Sequence, residues 1–388
     1  MTGTAQTADV IVLGAGVAGL AAARALAERG GVKVLVVEME ATYACGSTTK
    51  AAGSIRRQLH TETLTRIADQ TTRDLLTFEQ RYGVNPDCEI PGYLNLASSA
   101  ASHEKLLRED AIHRKVGFKT EILTPDEIGK RWGFIRTDDL AGGTLAPDDL
   151  NLDPFQVAAG LYRGARGGGA VFMFNTRVTG IIRGKGGAAA GVETTRGEIH
   201  APAVVNAAGP WAAELCVAAG MAETPPLRPR RRLMWQIGKG IRIPRQIPFM
   251  VDLDAPFYLR PFRELFLLSL MEEDEVELLG NDPPFEWSWL FKVEDRVAGR
   301  MPGLLEGSIA RGWAGWRTLT PDDMPVLGRV EQVPGFYMAA GFGGHGIALA
   351  PFCGELTASA VLGDGKYEAE LEELSLSRFQ RLSGSAGV

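Results

Sequence analysis

Only four cysteines occur in 388 residues, and Cys45, Cys88, Cys216 and Cys353 are far apart with no Cys-x-x-Cys pair. A disulfide scaffold and a zinc site are therefore not expected, no metal ligand is assigned, and a reducing compartment fits. A long apolar run is also missing. Val10 to Ala23 is cut short by Arg24, and residues 1–9 hold no Lys or Arg, so neither a membrane segment nor a signal peptide's charged start is expected. The reading is a soluble, cytoplasmic protein. Charge is nearly balanced, with 41 Lys plus Arg against 47 Asp plus Glu and a net −6. No global field favours nucleic acid or an anionic membrane. The densest basic cluster, Arg228-Pro-Arg230-Arg-Arg232, is accordingly read as a solvated edge or a crossing between domains. Repeats and low-complexity segments are absent, and the tail from Ser383 is expected to fray.

What is present is size and glycine. At roughly 150 residues per domain the length implies two to three domains. A hydrophobic share of 45% with 23% charged residues suits a globular enzyme with a sizeable core. The 47 glycines amount to about 12% of the chain against roughly 7% ordinarily, which implies many turns or close backbone approaches.

The first forty residues are the most informative. Val10-Ile-Val-Leu runs into Gly14-Ala-Gly16-Val17-Ala18-Gly19, and an alanine-rich stretch follows to Arg29, which reads as strand, tight turn and helix. Gly14 permits the turn, Gly16 lets the backbone approach a pyrophosphate, and Gly19 lets the helix pack on the strand, while the helix N-terminus faces the phosphate charge. Gly30-Gly31 ends the helix. Val32 to Val37 is a second buried strand closing on Glu38, a carboxylate placed to accept from ribose hydroxyls. The pattern implies a dinucleotide and does not separate NAD from FAD.

Further along, Leu64, Ile67, Thr71, Leu75 and Phe78 mark one helix face over Thr61 to Tyr82. A short strand near Tyr93 to Ala97, a helix from His103 to Lys115 and a capped helix at Thr124-Pro125 start a second domain. A helix from Pro154 to about Arg166 precedes Ala170 to Phe174 and Arg177 to Arg183, read as strands returning to the first sheet. Val204 to Gly209 is another apolar strand, Leu227 to Met271 alternates strands with turns, and Trp287 to Val297 is helical. Near the C-terminus Phe336 to Ala340 is a strand, Gly341 to Gly346 a turn and Ile347 to Leu362 a helix. That helix N-terminus would present N–H groups to a developing negative charge.

These segments together resemble the D-amino-acid oxidase superfamily. The likeness rests on Gly14-x-Gly16-x-x-Gly19 with Glu38, Gly46-Ser-Thr-Thr-Lys50-Ala-Ala-Gly53-Ser-Ile-Arg56-Arg57, Val205-Asn-Ala-Ala-Gly-Pro-Trp211, Trp313-Ala-Gly-Trp-Arg-Thr-Leu-Thr-Pro321-Asp322 and Gly341-Phe-Gly-Gly-His-Gly346, in register along nearly the whole chain. It is nearest to the glycine oxidase and sarcosine or dimethylglycine oxidase branch. The implied fold is α/β (α+β), a Rossmann-like FAD domain interleaved with a smaller mixed or antiparallel-sheet substrate domain. Residues 1–85, 147–225 and 310–388 would form the first, and 86–146 and 226–309 the second.

By the same resemblance Gly14, Gly16, Val17, Ala18, Gly19 and Glu38 hold the ADP half of FAD. Gly46, Ser47, Thr48, Lys50, Ala52 and Gly53 run beneath the flavin, and Val178, Ala208, Gly209 and Trp211 flank the adenosine. Gly343, Gly344, His345, Gly346 and Ile347 meet the flavin pyrimidine. Arg56 would clamp a substrate carboxylate, His345 would offer its backbone N–H or tune the reduced flavin, and Trp313, Trp316 and Arg317 would line the pocket. Where monomeric sarcosine oxidases bear a flavin-linking cysteine this chain has Gly315, so FAD is expected to be non-covalent. Ala348 replaces a substrate-binding lysine, which argues against simple sarcosine. Phe266-Leu-Leu-Ser-Leu270 lacks the lysine that promotes reaction with oxygen.

The implied activity is oxidation of an amine or amino-acid C–N bond by hydride transfer to flavin N5, giving an imine that hydrolyses. Such transfer needs positioning and desolvation more than an acid-base side chain. The expected partners are a small amine or amino acid and oxygen or another acceptor, within a possible homo- or hetero-oligomer. Alternatives are a D-amino-acid dehydrogenase or specialised-metabolism enzyme with a larger pocket shaped by Phe249 to Leu270, an FAD-binding dehydrogenase subunit of a hetero-oligomer, and a plain NAD-dependent dehydrogenase.

Overall fold

The computed structural model describes residues 6–379 apart from 239, 242, 272, 273, 275 and 279. The tail from Ser383 lies outside the described residues. A six-stranded sheet runs in the order Val326–Arg329, Phe336–Ala340, Ala203–Asn206, Val10–Leu13, Val34–Val37, Val171–Met173. All neighbours are parallel except the first pair. Val10–Leu13 and Val34–Val37 are buried at every position, as strands covered on both faces must be. The helices Val17–Arg29, Pro154–Gly167 and the C-terminal Gly346–Leu362 share the core on one face, and Ile181, Val192, Ile199 and the helix Ala212–Ala218 cover the other. Of the first three helices, Val17–Arg29 and Gly346–Leu362 approach closely: a Cβ on Gly354 would lie 2.4 Å from the Ala21 carbonyl oxygen. Small residues thereby bring the two helices that start at the cavity into one rigid layer. Leu20 and Leu26 are fully buried in it, each worth about 2 kcal/mol of transfer free energy.

An eight-stranded sheet forms the second layer, in the order Ile309–Leu319, Arg228–Ile237, Leu265–Leu270, Phe257–Phe262, Phe249–Asp252, Tyr93–Ala97, Gly142–Ala146, Glu121–Leu123. One face packs a separate core around Leu233, Trp235, Phe257 and Leu268, and the other faces the first domain's turns. Strand Ile309–Leu319 pairs with Arg228–Ile237 along its length. A boundary at residue 310 thus leaves this strand with the wrong sheet; pairing over ten positions outweighs its closeness in sequence to the C-terminal segments.

Three other expectations need correction. Val178–Arg183 does not return to the first sheet; it joins a four-stranded sheet with Ala189–Thr194, Gly197–His200 and Gln6–Thr7, because its short connection favours an antiparallel hairpin partner. The helix read over Thr61–Tyr82 is broken at Thr77 into Glu62–Leu76 and Phe78–Tyr82. Gly83 in the left-handed region ends the second piece, as expected. The helix predicted from His103 begins earlier, at Ala100, since Ser99 accepts from Ser102 N–H.

Candidate active site

A cavity of about 630 Å³ runs from Glu38 and Trp211 past the Gly14 turn to Arg56, Tyr258 and His345. Its first wall is the N-terminal strand–turn–helix. Gly14 has φ +97°, and Gly19 packs so tightly that an added Cβ would lie 1.9 Å from the Gly14 carbonyl oxygen. Gly16, at the helix N-cap, is different: an added Cβ would touch only Thr48 Oγ1, at 3.5 Å. Val17 N–H donates to that hydroxyl at 3.0 Å, which ties residues 46–50 to the helix start. Glu38 is pinned at the end of its strand by Ala15 N–H at 2.6 Å and Glu40 N–H at 2.9 Å, and burial raises its pKa.

Val178, Ala208, Gly209 and Trp211 line this cavity with Glu38, and so do Gly46, Ser47, Lys50 and Ala52. Lys50 is held away from a free role: its ammonium pairs with Asp282 at 2.6 Å and donates to the Asn281 carbonyl. Asn281 Nδ2 donates to Glu40 at 2.7 Å, so the segment at 280–282 is laced across residues 40–50. Gly53 also lines the cavity, yet its requirement is structural, since a Cβ there would lie 2.4 Å from the Leu152 carbonyl oxygen. Arg260 donates to the Gly53 carbonyl and to that of Leu152 at 3.3 Å, and burial lowers its pKa to about 10. Sheet and turn are thereby locked together.

The deep end gathers charge. Arg57, buried against Asp149 at 2.8 Å and Asp69 at 3.0 Å, fixes the backbone that delivers Arg56. Burial pushes Asp149 up to about 6 despite that pairing. Arg56 Nη2 approaches His345 Nε2 at 2.8 Å, its guanidinium lies over the Tyr93 ring, and its Nε is buried without a partner. Burial, then the nearby Arg56, hold His345 well below its usual value. A guanidinium only donates, so Nε2 of the neutral imidazole accepts and Nδ1 carries the ring proton. His345 caps the helix Gly346–Leu362 without a side-chain bond, and Gly346, Ile347 and Ala348 line the cavity at its first turn. Gly343 and Gly344 precede it, and a Cβ on Gly344 would sit 2.6 Å from Arg317 Nη2.

The face of the eight-stranded sheet completes the site. Tyr93 stacks on Phe249 at 4.6 Å between ring centroids, and Phe249 on Tyr258 at 5.3 Å. Burial pushes the Tyr93 phenol up to about 12. Arg317 is lowered to about 9 by burial, then by the neighbouring Arg232 charge. Alternation along Ile309–Leu319 puts Trp316 opposite Gly315 and Arg317. Its indole is 3% exposed and donates to the Gly280 carbonyl at 2.6 Å, so this candidate is chiefly a packing residue in the wall.

The basic cluster at 228–232, read as a solvated edge or a crossing between domains, is solvated only in part: Arg228 is exposed and Arg231 is buried. Period-two alternation turns Arg231 to the inner side, where it pairs with Asp274 and with Glu286 at 2.7 Å, and turns Arg232 to the cavity. Arg232, Tyr93, Tyr258 and Met234 line the cavity and were not assigned to the site from the sequence. The buried alternation of Leu233, Trp235 and Ile237 is the signal that places Arg232 and Met234 on the opposite face.

The fold and this cavity define a dinucleotide-binding oxidoreductase with its reactive end between two sheets. Residues 9–360 match the family of FAD dependent oxidoreductases (DAO), and the chain belongs to it. It is 25% identical to 4-methylaminobutanoate oxidase (formaldehyde-forming) of Paenarthrobacter nicotinovorans over 96% of its length but spans only 45% of that relative. Among solved structures it is similar to L-proline dehydrogenase from P. horikoshii, with 27% identity, a TM-score of 0.88 and coverage of 97% of this chain and 99% of that one. Glycine oxidase from Geobacillus kaustophilus gives 25% identity, a TM-score of 0.83, and 96% and 99% coverage. The family's cofactor is FAD. The residues present fit it: Gly16 leaves open space where a side chain would intrude, and Glu38 and two helix N-termini line one continuous cavity. Among the described residues no metal-binding cluster occurs, and no helix is long and apolar enough to cross a membrane.

Proposed function

We propose that the chain is an FAD-dependent oxidase or dehydrogenase of a carboxylate-bearing amine or amino acid. The observation that carries this reading is the meeting of Arg56, Arg317 and the neutral His345 at the cavity end beside the uncapped helix N-terminus. Its relatives support it, since the oxidases and dehydrogenase named above act on amines or amino acids. In this reading Gly14 to Gly19 and Glu38 would hold the ADP half, and Gly46 to Gly53 with Gly343 to Ile347 would hold the flavin. Bound FAD supplies a two-electron acceptor for a hydride from the carbon next to nitrogen.

The chain's own residues position and desolvate. Arg56 and Arg317 would anchor the carboxylate, the Tyr93–Phe249–Tyr258 stack would exclude water, and the N–H groups at Gly346 and Ile347 would favour negative charge on the bound flavin. No base in the site is needed if the amine binds neutral. His345 keeps Nε2 on Arg56, and Asp149 is committed to Arg57. Loss of a hydride from the neutral amine leaves an iminium ion, which water hydrolyses to a carbonyl compound and the released ammonium or amine. The segments 1–85, 147–225 and 320–388 carry the cofactor and the eight-stranded sheet the substrate. Strand Leu265–Leu270 presents no cation, and Ser269 spends its hydroxyl on the Leu233 carbonyl at 2.6 Å. That favours an acceptor other than oxygen.

The test is the visible spectrum of purified protein before and after acid precipitation, then anaerobic bleaching with N-methyl, cyclic and D-amino acids. Flavin released to the supernatant and bleached by at least one amine is expected. Colourless protein that FAD does not reconstitute overturns the reading. Non-covalent binding rests on Gly315 and on Cys45, whose cavity-lining thiol burial makes less acidic and so less nucleophilic; flavin left on the precipitated chain would refute it.

A further inference from the structure

Arg56 reaches the cavity from a segment that is gripped from behind. Arg56 and Tyr93 line the cavity, whereas Arg57, Gln58, Thr144 and Asp149 are buried and are not among the residues that line it. The peptide N–H between Arg56 and Arg57 donates to Asp149 Oδ2 at 3.2 Å, and Arg57 Nε donates to Oδ1 of the same carboxylate at 2.8 Å. Upstream, Ser54 and Ile55 pair with Asn151 and Leu150, on the strand that directly follows Asp149. Downstream, Gln58 Nε2 donates to the Tyr93 carbonyl at 3.0 Å, and its Oε1 accepts from the Thr144 hydroxyl at 2.8 Å. Asp149, fully buried, thereby holds both the backbone and the side chain of the residue next to Arg56.

We propose that Asp149 is a positioning residue for the substrate: its carboxylate, acting through Arg57, holds Arg56 where it clamps the substrate's carboxylate, and protonation of Asp149 releases that clamp. This rests on the function proposed above and adds a pH control to its anion site. Burial pushes Asp149 up to about 6, against the opposing pull of Arg57 and then of Arg56. Tyr93 faces it from strand Tyr93–Ala97, and Asp69 of helix Glu62–Leu76 shares Arg57 with it at 3.0 Å. Helix Ala100–Val116 brings His113 against the Phe118 ring that Arg57 covers; burial holds that imidazole below its usual value, and its Nε2 meets the Leu59 carbonyl at 3.0 Å. Protonating Asp149 has two effects of opposite sign. Loss of its negative charge would by itself tighten anion binding at Arg56 as pH falls. Loss of the grip on Arg57 weakens that binding, and this effect dominates. A misplacement of about 1 Å undoes a bidentate clamp, whereas the paired Arg57 charge already offsets the field of Asp149.

Calorimetric titration of the FAD-loaded protein with benzoate and methoxyacetate tests this without turnover, since both acids stay ionised from pH 7.5 to 5.5 and carry no amine. If the protonated form does not bind, Kd rises about fourfold over that range. Asp149→Asn removes the titrating group. Its Kd should be about tenfold higher at pH 7.5 and change less than about twofold by pH 5.5. In anaerobic bleaching the same variant should raise the half-saturating amine concentration about tenfold and leave the limiting rate within about threefold. His60→Gln, at the imidazole whose Nε2 meets the Asp322 carbonyl, should keep the fourfold rise. Flavin content and Tm report whether each variant is folded. If Asp149→Asn loses its flavin, Asp69→Asn replaces it and should move the midpoint to lower pH, because Arg57 is then left to Asp149 alone. A Kd that stays constant or falls toward pH 5.5 in the unsubstituted protein would overturn the proposal. So would a rise that persists in folded Asp149→Asn or vanishes in His60→Gln, or a midpoint that Asp69→Asn leaves in place. Acids that fail to bind while an amine still bleaches the flavin would overturn the clamp and this proposal but not the oxidation. Absence of both acid binding and amine bleaching would overturn the underlying function as well.

Discussion

Alanine at Gly16 and alanine at Gly19 should have opposite phenotypes, although the two residues belong to one motif. At Gly19 the new Cβ would lie 1.9 Å from the Gly14 carbonyl oxygen. Both sides of that clash are backbone, so the helix must retreat from its strand, and the expected loss is about 3 kcal/mol or more with or without FAD. At Gly16 the backbone has φ −74° and ψ 177°, which alanine adopts freely, and the Cβ touches only Thr48 Oγ1 at 3.5 Å. Losing a glycine N-cap costs roughly 0.5–1 kcal/mol, and the stiffer unfolded chain returns about 0.4–1 kcal/mol. Flavin-free stability should therefore stay within about 1 kcal/mol. The methyl group instead projects into the cavity and should weaken FAD by about thirtyfold, on the order of 2 kcal/mol. At a free FAD concentration of one hundred times the original Kd, ligand-induced stabilisation should drop from about 2.7 to about 0.9 kcal/mol. Urea unfolding of flavin-stripped and FAD-saturated protein measures both quantities. A Gly16→Ala protein that is as unstable as Gly19→Ala without flavin, or that keeps its full FAD-induced stabilisation, would refute the reasoning.

Arg56→Met should raise KM for the preferred carboxylate substrate tenfold or more, about 1.4 kcal/mol, and unchanged kinetics would remove Arg56 from the site. The fold prefers His345 neutral, because its folded pKa lies below the unfolded value of about 6.5. Its contribution to stability is present above that value and lost on acidification, by up to about 1.4 kcal/mol per pH unit. The stability difference between the unsubstituted protein and His345→Gln should therefore shrink as pH falls from 7 to 5, and a pH-independent difference would show that His345 titrates normally.

The nucleotide half of this chain was legible because its signals are local. Gly14, Gly16 and Gly19 stand at fixed spacing after an apolar strand, and the turn they make needs no distant partner to be recognised. The capping box at Thr124 and Glu127 and the left-handed glycine at Gly83 are legible for the same reason. Other features depend on which strand lies alongside. Strand Val178–Arg183 has the composition of either sheet, and only its hairpin with Ala189–Thr194 settles where it belongs. The run Arg228 to Arg232 looks uniformly solvated as a string, because charge count carries no information about direction.

The sequence alone determined the strand–turn–helix, the acid at Glu38, the two helices that begin at the cavity and the family they imply, since each follows from periodicity and backbone sterics within a few residues. Tertiary structure alone decided which arginine meets which group. Arg231 and Arg232 are chemically identical neighbours, yet pleating sends one to Asp274 and Glu286 and the other to the cavity. Arg56 and His345 are 289 positions apart and meet at 2.8 Å, because close-packed small residues bring the first and last helices together and the buried Arg57–Asp149 pair sets the intervening backbone. Long-range placement of that kind arises from packing and burial summed over the whole fold, which no single stretch of the chain encodes.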